Sequence, residues 1–274
     1  MTKSWSIFSF NGVISSSFTI FSICTIITLL CYGLKKIYEL KSIYKKRQFT
    51  NNNIINIIHS TNMSVLSLND TSITIKTHME FIKAYEKMDK DLDIHIVMHT
   101  VGGALSSAEA ICNCIANHKL SNYKGQIIVY IPYYSYSGGC MIALACDKIV
   151  MCKNAIMGPC DAQQLVLNVH SVASIIDTVK YKKEMKEKIA ETWLAASYDA
   201  QLCKERQLDY IKKLVKTGKF SEELGNKIYE EFFSGKYNHD KIFSAQEAKE
   251  IGLNIDIVDT MPNIITNVMN YMIK

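Results

Sequence analysis

Two pairs of adjacent glycines, each between an apolar run and a helical pattern, are the features of this chain best suited to chemistry. The pairs are Gly102-Gly103 and Gly138-Gly139, and Ser137 directly precedes the second pair. Glycine lets a substrate carbonyl approach backbone N–H groups closely, and N–H groups at a helix N-terminus favour a developing negative charge. A serine at such a turn presents its hydroxyl beside these donors. The pattern therefore predicts acyl transfer with Ser137 as the nucleophile.

Ser137 also has a purely structural interpretation, because serine is a common N-cap residue before a helix. The glycine pair one strand earlier favours the catalytic interpretation. A dinucleotide-binding loop would need the pattern Gly-x-Gly-x-x-Gly after a strand, and neither glycine pair supplies it.

The elements that must position these residues are predicted by apolar runs that alternate with helical patterns. The predicted strands are residues 63–68, 94–99, 126–131 and 148–152, and the predicted helices between them are residues 78–88, 104–117 and 137–146. This alternation predicts an α/β domain with a largely parallel sheet. Residues 180–219 predict one or two long helices, residues 221–233 another, and Ser244 with Glu247 forms a capping-box pattern that opens a last short helix.

The composition is that of a globular protein, with 48% hydrophobic and 21% charged residues. The net charge of +5 does not by itself imply a nucleic-acid partner. Nine cysteines form neither a zinc-finger spacing nor a disulfide framework, which predicts mostly buried thiols in a reducing compartment.

An uncharged segment near the N-terminus predicts a single transmembrane helix. No charged residue occurs from Ser4 to Leu34, and residues 12–34 are long enough to cross a bilayer. The basic residues that follow, up to Arg47, place the rest of the chain on the cytoplasmic side, and we interpret them as a topology signal rather than a nucleic-acid site. A cleavable signal peptide is the alternative. We predict an anchor and basic stem over residues 1–47 and a catalytic domain over residues 48–274.

Several motifs together resemble one family. They are His-Thr-Val-Gly-Gly at 99–103, Pro-Tyr-Tyr-Ser-Tyr-Ser-Gly-Gly at 132–139, Gly-Pro-Cys-Asp-Ala-Gln at 158–163, Gly-Lys-Tyr-Asn-His-Asp at 235–240 and Ala-Lys-Glu-Ile-Gly-Leu at 248–253. Their residues and order resemble the serine dehydrogenase proteinase family, which is related to the Clp proteolytic subunit and to signal peptide peptidase A. The resemblance covers nearly the whole chain.

The resemblance implies a Clp/crotonase-like fold, a spiral of β-β-α units with a helical C-terminal region, in a homo-oligomer. It implies a triad in which Ser137 is the nucleophile, Asp161 the orienting acid and His239 the general base, while Gly103 and Gly138 supply the N–H groups of the oxyanion hole. The implied function is that of a membrane-anchored serine endopeptidase, which acts on peptides or membrane proteins through an acyl-enzyme. Such a site requires no metal and no other cofactor.

Other residues are alternative candidates for the general base and the acid. Lys180 or Lys182 could act as the base of a Ser–Lys dyad, and His170 is a further candidate base. Asp147 and Asp240 are alternatives to Asp161 as the acid.

Four positions depart from the family pattern: Val101, Tyr133, Ala162 and Lys241 stand where the family has Pro, His, Pro and an aromatic residue. Two other functions therefore stay open. One is a catalytically inactive membrane scaffold with the same fold. The other is a crotonase-like enzyme that acts on acyl-CoA, which would not need the nucleophilic serine.

Overall fold

A five-stranded parallel sheet organises the part of the chain that this computed structural model describes, residues 54–58 and 72–272. The strands in chain order are β1 Ile54–Ile58, β2 Ile94–His99, β3 Ile127–Ile131, β4 Tyr134–Ser135, β5 Lys148–Cys152, β6 Ile156–Met157, β7 Gln163–Val166, β8 Asn168–Ser171, β9 Phe243–Ser244 and β10 Ile255–Val258. The main sheet has the order β1-β2-β3-β5-β10, and every neighbouring pair is parallel.

Helices connect these strands, as parallel pairing requires. They are α1 Ile75–Glu86, α2 Leu105–Leu120, α3 Gly138–Ala145, α4 Val172–Glu184, α5 Glu191–Lys216, α6 Glu222–Ile228, α7 Ala245–Ile251 and α8 Asn263–Met272, and a π-helical turn, Tyr229–Phe233, follows α6. The mixed α/β fold predicted from the sequence is confirmed.

Both faces of the main sheet are covered, which explains why its strands are continuous apolar runs rather than alternating ones. Successive side chains of β2 illustrate the arrangement. Ile96 and Met98 pack into the larger core with α2 and α3, whereas Val97 points to the opposite face and packs in a cluster with Met261 and Ile265, at and just before α8.

A second, three-stranded sheet lies beside the main one and has the order β4-β6-β9. Strand β4 is parallel to β6, and β9 is antiparallel to β6. The polypeptide thus forms β3 in the main sheet, β4 in the small sheet and then α3, which is two strands followed by a helix.

Local interactions set several boundaries that the sequence pattern predicted only approximately. Helix α1 begins at Ile75 and not at 78, because Thr74 and Thr77 form a reciprocal capping box. Ser221 and Ser244 cap α6 and α7 as predicted. The helix predicted over 221–233 ends in the π-helical turn, and the long helical region consists of two helices, α4 and α5.

Strand β1 and the short strands β4 and β6–β10 were not predicted. Strands of two to four residues carry too few residues for a periodic signal. The strand predicted over 63–68, the membrane span over 12–34 and the domain boundary at 48 lie outside the described residues and stay predictions. Among the described helices, none combines the length and the apolar character that crossing a membrane requires.

The core position of β2 gives a stability prediction. Ile96 is fully buried at the centre of the main sheet, so Ile96→Ala should lower the free energy of unfolding by about 2–5 kcal/mol through lost burial and the cavity it leaves. Ile75→Ala is the matched control. Because Ile75 is 71% exposed, its truncation should change stability by less than about 0.5 kcal/mol. Denaturant unfolding measures both; equal losses would contradict the packing described.

Candidate active site

Ser137 occupies a strained turn between β4 and α3. Its backbone has φ 47° and ψ −120°, a left-handed conformation that non-glycine residues adopt at a cost of about 1–3 kcal/mol. The Ser137 side chain makes no capping hydrogen bond to α3, although the residue stands at the N-cap position. Ser137 is therefore the N-cap residue by position, but its side chain does not cap the helix. The half-buried hydroxyl is held at a sharp strand-to-helix turn, as nucleophilic serines are.

The two glycine pairs lie against each other at this turn. A Cβ atom on Gly102 would lie 2.6 Å from the Ser137 Cβ and 2.9 Å from the Gly138 amide nitrogen, so any side chain at residue 102 would displace the serine. The Gly103 nitrogen lies 3.5 Å from the position of a Cβ on Gly138. The loops that follow β2 and β4 therefore bring the amides of residues 103 and 138 into one small region.

These two amides are available as donors. Ile73 pairs with the neighbours of Gly103, because its N–H donates to the Gly102 carbonyl at 2.7 Å and its own carbonyl accepts from Ala104 at 2.8 Å. Within residues 72–272, the N–H groups of Gly103 and Gly138 donate to no backbone or side-chain acceptor. Paired free N–H groups at the start of a helix can stabilise an oxyanion.

Asp161 and His239 form the second part of the site. The His239 Nδ1 lies 2.6 Å from Asp161 Oδ1, although 78 residues separate the two along the chain. Because a carboxylate only accepts hydrogen bonds, Nδ1 carries the proton and Nε2 is left as the basic nitrogen. The carboxylate is 4% exposed and the imidazole 34% exposed, so the acid is buried behind a histidine that reaches solvent.

Gln163 is a residue of this site to which the sequence pattern assigned no role. Its Nε2 donates to Asp161 Oδ2 at 2.8 Å and to the Asp161 carbonyl at 3.2 Å. Both carboxylate oxygens are thus engaged, one by His239 and one by Gln163, which fixes the orientation of the Asp161 side chain. In the sequence, the sign of this contact is the position of Gln163, two residues after Asp161 in the motif Gly-Pro-Cys-Asp-Ala-Gln.

The small sheet links the two parts of the site. Ser137 follows β4 by two residues, Asp161 follows β6 by four, and His239 precedes β9 by four. Tyr136 packs directly on Gly158, where a Cβ would lie 2.0 Å from the tyrosine ring. The strand pairing β4-β6-β9 therefore holds the three catalytic segments predicted from the sequence next to one another.

A model of the ClpP-like SDH-type serine proteinase family matches residues 11–273. The chain belongs to this family. Two uncharacterized proteins of Methanocaldococcus jannaschii are each 32% identical to it, over 185 and 184 residues that make up 67% of this chain. The chain spans only 59% and 60% of the length of these two relatives.

Solved structures similar to this chain include two of the 1510-N membrane-bound stomatin-specific protease. A serine-to-alanine variant of that protease has a TM-score of 0.47 and 15% identity, and the match covers 79% of this chain and 82% of that one. A lysine-to-alanine variant in complex with a substrate peptide has a TM-score of 0.47 and 17% identity, with 80% of each chain covered.

The other candidate bases lie in different surroundings. Lys180 is exposed on α4, and Lys182 on the same helix is paired with Glu187 at 3.2 Å. His170 packs against the Trp193 ring with centroids 5.2 Å apart. No hydrogen bond among the described residues joins any of these three bases to Ser137 or to Asp161.

The alternative acids have other environments too. Asp147 accepts a hydrogen bond from the Ile127 N–H at 2.9 Å and so caps the start of β3. Asp240 is exposed at the surface next to His239. Of the three candidate acids, Asp161 is the one that contacts a histidine.

The cysteines of the described region are free thiols. Cys112, Cys140, Cys146 and Cys160 are buried, and burial raises the pKa of Cys112 to about 12. A buried thiol with a raised pKa, such as that of Cys112, stays protonated and acts as a small apolar group rather than a nucleophile. Among the described residues, no group of three or more His, Cys, Asp or Glu side chains could hold a metal ion.

His99 lies at the end of β2 in a cluster of tyrosine rings. It is 5% exposed, and its ring centroid lies 4.1 Å from that of Tyr134 and 5.6 Å from that of Tyr133. Its Nδ1 has no hydrogen-bond partner, and burial lowers the pKa of the imidazole. His99 thus packs among tyrosine rings, whereas the Nδ1 of His95, earlier on the same strand, lies 3.1 Å from the Tyr130 hydroxyl oxygen.

The contact between Gly102 and Ser137 gives a prediction about the site. Gly102→Ala should abolish labelling of Ser137 by a fluorophosphonate, because the new methyl group would overlap the serine turn. Gly218→Ala is the matched control. Gly218 also has a positive φ, 71°, but has no atom within 4 Å of its Cβ position, so the variant should lose about 1 kcal/mol of stability and keep full labelling. Equal labelling of both variants would contradict the close approach.

Acidification tests the environment of His99. Burial lowers the pKa of this histidine in the folded state, so around and below the ordinary pKa of about 6.5 the unfolded chain binds more protons than the folded one. The wild type should therefore lose stability as the pH falls from 7 to 5, and a His99→Gln variant should lose less. Denaturant unfolding at several pH values measures this difference, with His78→Gln as the control. Parallel pH profiles for wild type and His99→Gln would refute the prediction.

Proposed function

We propose that this SDH-type proteinase is an active serine peptidase that uses Ser137, Asp161 and His239. The observation that carries the proposal is the 2.6 Å hydrogen bond between His239 and the buried Asp161, which leaves the histidine Nε2 as a base. The strained Ser137 turn and the two free amides of Gly103 and Gly138 supply the other groups that acyl transfer requires.

In the proposed reaction His239 Nε2 takes the proton of the Ser137 hydroxyl as its oxygen attacks the scissile carbonyl. The Gly103 and Gly138 N–H groups stabilise the oxyanion of the tetrahedral intermediate. His239 then gives its proton to the leaving amine, and the C–N bond breaks to form the acyl-enzyme. Water, activated by the same histidine, attacks the ester and releases the acid product and Ser137. Asp161 keeps its charge throughout and stabilises the imidazolium.

We further propose that the peptidase is anchored by the helix predicted over residues 12–34 and acts on the cytoplasmic side on membrane proteins or peptides. The apolar segment and the basic residues after it support this location. A homo-oligomer of Clp/crotonase-like spiral subunits is part of the same proposal. Exposed Tyr181 on α4 and exposed Leu194 and Tyr198 on α5 support contact with another protein surface.

Labelling of the full chain with a fluorophosphonate tests the catalytic proposal. Ser137→Ala should abolish labelling, and His239→Ala should slow it by at least about 1000-fold because the serine loses its base. Asp161→Asn should slow it by roughly 100- to 10,000-fold, since the amide would favour the wrong histidine tautomer. The rate of labelling and the mass of the modified peptide are the measurements.

Matched variants separate the proposal from its alternatives. His170→Ala and Asp240→Asn should label at the wild-type rate, because within the described residues neither side chain forms a hydrogen bond with Ser137, Asp161 or His239. Loss of labelling in Lys180→Ala or Lys182→Ala, with His239→Ala still active, would move the base to a lysine. A folded wild-type protein that does not label at all would favour the inactive scaffold.

A further inference from the structure

Helix α5 carries two buried hydrogen-bond donors on the face that packs against the core. Gln207 is 1% exposed and Tyr210 is 8% exposed. Three residues apart on a helix, they lie on the same face, where the surrounding buried positions are apolar. Burying a glutamine costs free energy unless its amide is hydrogen-bonded. The hydrogen-bond partners of these two side chains therefore indicate which segments the helix positions.

Tyr210 binds the helix that begins at the nucleophile. Its hydroxyl donates to the Met141 carbonyl at 2.7 Å. The N–H of Met141 in turn donates to the Ser137 carbonyl at 3.0 Å. One tyrosine hydroxyl is therefore connected to the strained serine turn through a single residue of α3.

Gln207 binds the segment that carries the acid. Its Nε2 donates at 2.8 Å to the carbonyl of Cys160, the residue that directly precedes Asp161. The Cys160 N–H donates at 2.6 Å to the Phe232 carbonyl, in the π-helical turn before His239. Cys160 lies between strands, so Gln207 supplies a bond that no neighbouring strand provides.

We propose that Gln207 and Tyr210 are positioning residues of the active site. One turn of α5 holds the Asp161 segment through Gln207 and the Ser137 helix through Tyr210, and thereby fixes the distance between the acid–base pair and the nucleophile. This inference rests on the proposed peptidase function and deepens it. Neither residue touches the reacting atoms; each acts through the backbone of a neighbour of a catalytic residue.

The test measures two constants of fluorophosphonate labelling in the full chain: the first-order rate at saturating probe and the half-saturating probe concentration. Tyr210→Phe and Gln207→Met should each lower the saturating rate by about tenfold, since small displacements of reacting groups are costly. The half-saturating concentration and the final labelled fraction should stay within twofold of the wild type. Tyr123→Phe and Gln201→Met, both at exposed positions, are matched controls and should keep both constants.

A second comparison separates positioning from simple support of the fold. In a His239→Ala background, Gln207→Met should cause no further loss of rate, because it acts through the Asp161–His239 pair. Tyr210→Phe should keep its full effect there, because it acts on Ser137. A purely structural role would instead lower the thermal midpoint and the labelled fraction equally in both backgrounds.

The outcomes distinguish the two proposals. A wild type that labels at Ser137, with both variants at the wild-type saturating rate, overturns the positioning inference and leaves the peptidase proposal intact. A folded wild type that does not label overturns both. If Gln207→Met does not fold, Tyr210→Phe still tests the positioning inference, because this variant removes one oxygen and keeps the ring that packs against Phe233.

Discussion

The pairing of three short strands is the constraint on which the candidate site depends. Strands β4, β6 and β9 contribute two residues each, yet they hold together the segments of Ser137, Asp161 and His239. The Ile156 N–H donates to the Tyr133 carbonyl at 2.9 Å, and the Gly158 N–H donates to the Ser135 carbonyl at 3.2 Å. Forming these hydrogen bonds closes the intervening loops, which costs conformational entropy that the rest of the fold must offset. The site therefore exists only in the complete fold.

The strained turn at Ser137 is stable because its neighbours fix it from both sides. Tyr136 donates its N–H to the Thr100 carbonyl at 3.0 Å, and the Tyr136 carbonyl accepts from Gly139 at 2.8 Å. The absence of a side chain at Gly102 leaves the only space that the serine turn can occupy. The fold thus holds a serine in a conformation that a free chain would avoid, at the turn where the Gly103 and Gly138 amides also lie.

The acid and the base differ in burial, and the difference suits their proposed roles. The buried Asp161 carboxylate interacts with His239 in a region of low dielectric, where a charge-assisted hydrogen bond is strong and Gln163 satisfies the second oxygen. The more exposed imidazole can meet a substrate. Helix α5 supports this arrangement from the core side and connects the family's helical C-terminal region to the catalytic segments.

The sequence alone determined the mixed α/β class, strands β2 and β5, the serine turn and the identity of the family. These follow from continuous apolar runs, glycine pairs and short motifs, all of which are local in the chain. Only the tertiary structure decided that Asp161, rather than Asp147 or Asp240, meets His239, that Gln163 bonds the second Asp161 oxygen, and that Gln207 and Tyr210 bond the Cys160 and Met141 carbonyls. Contacts between residues 78 positions apart leave no periodic signal, because they depend on how short strands and a distant helix pack and not on any local propensity.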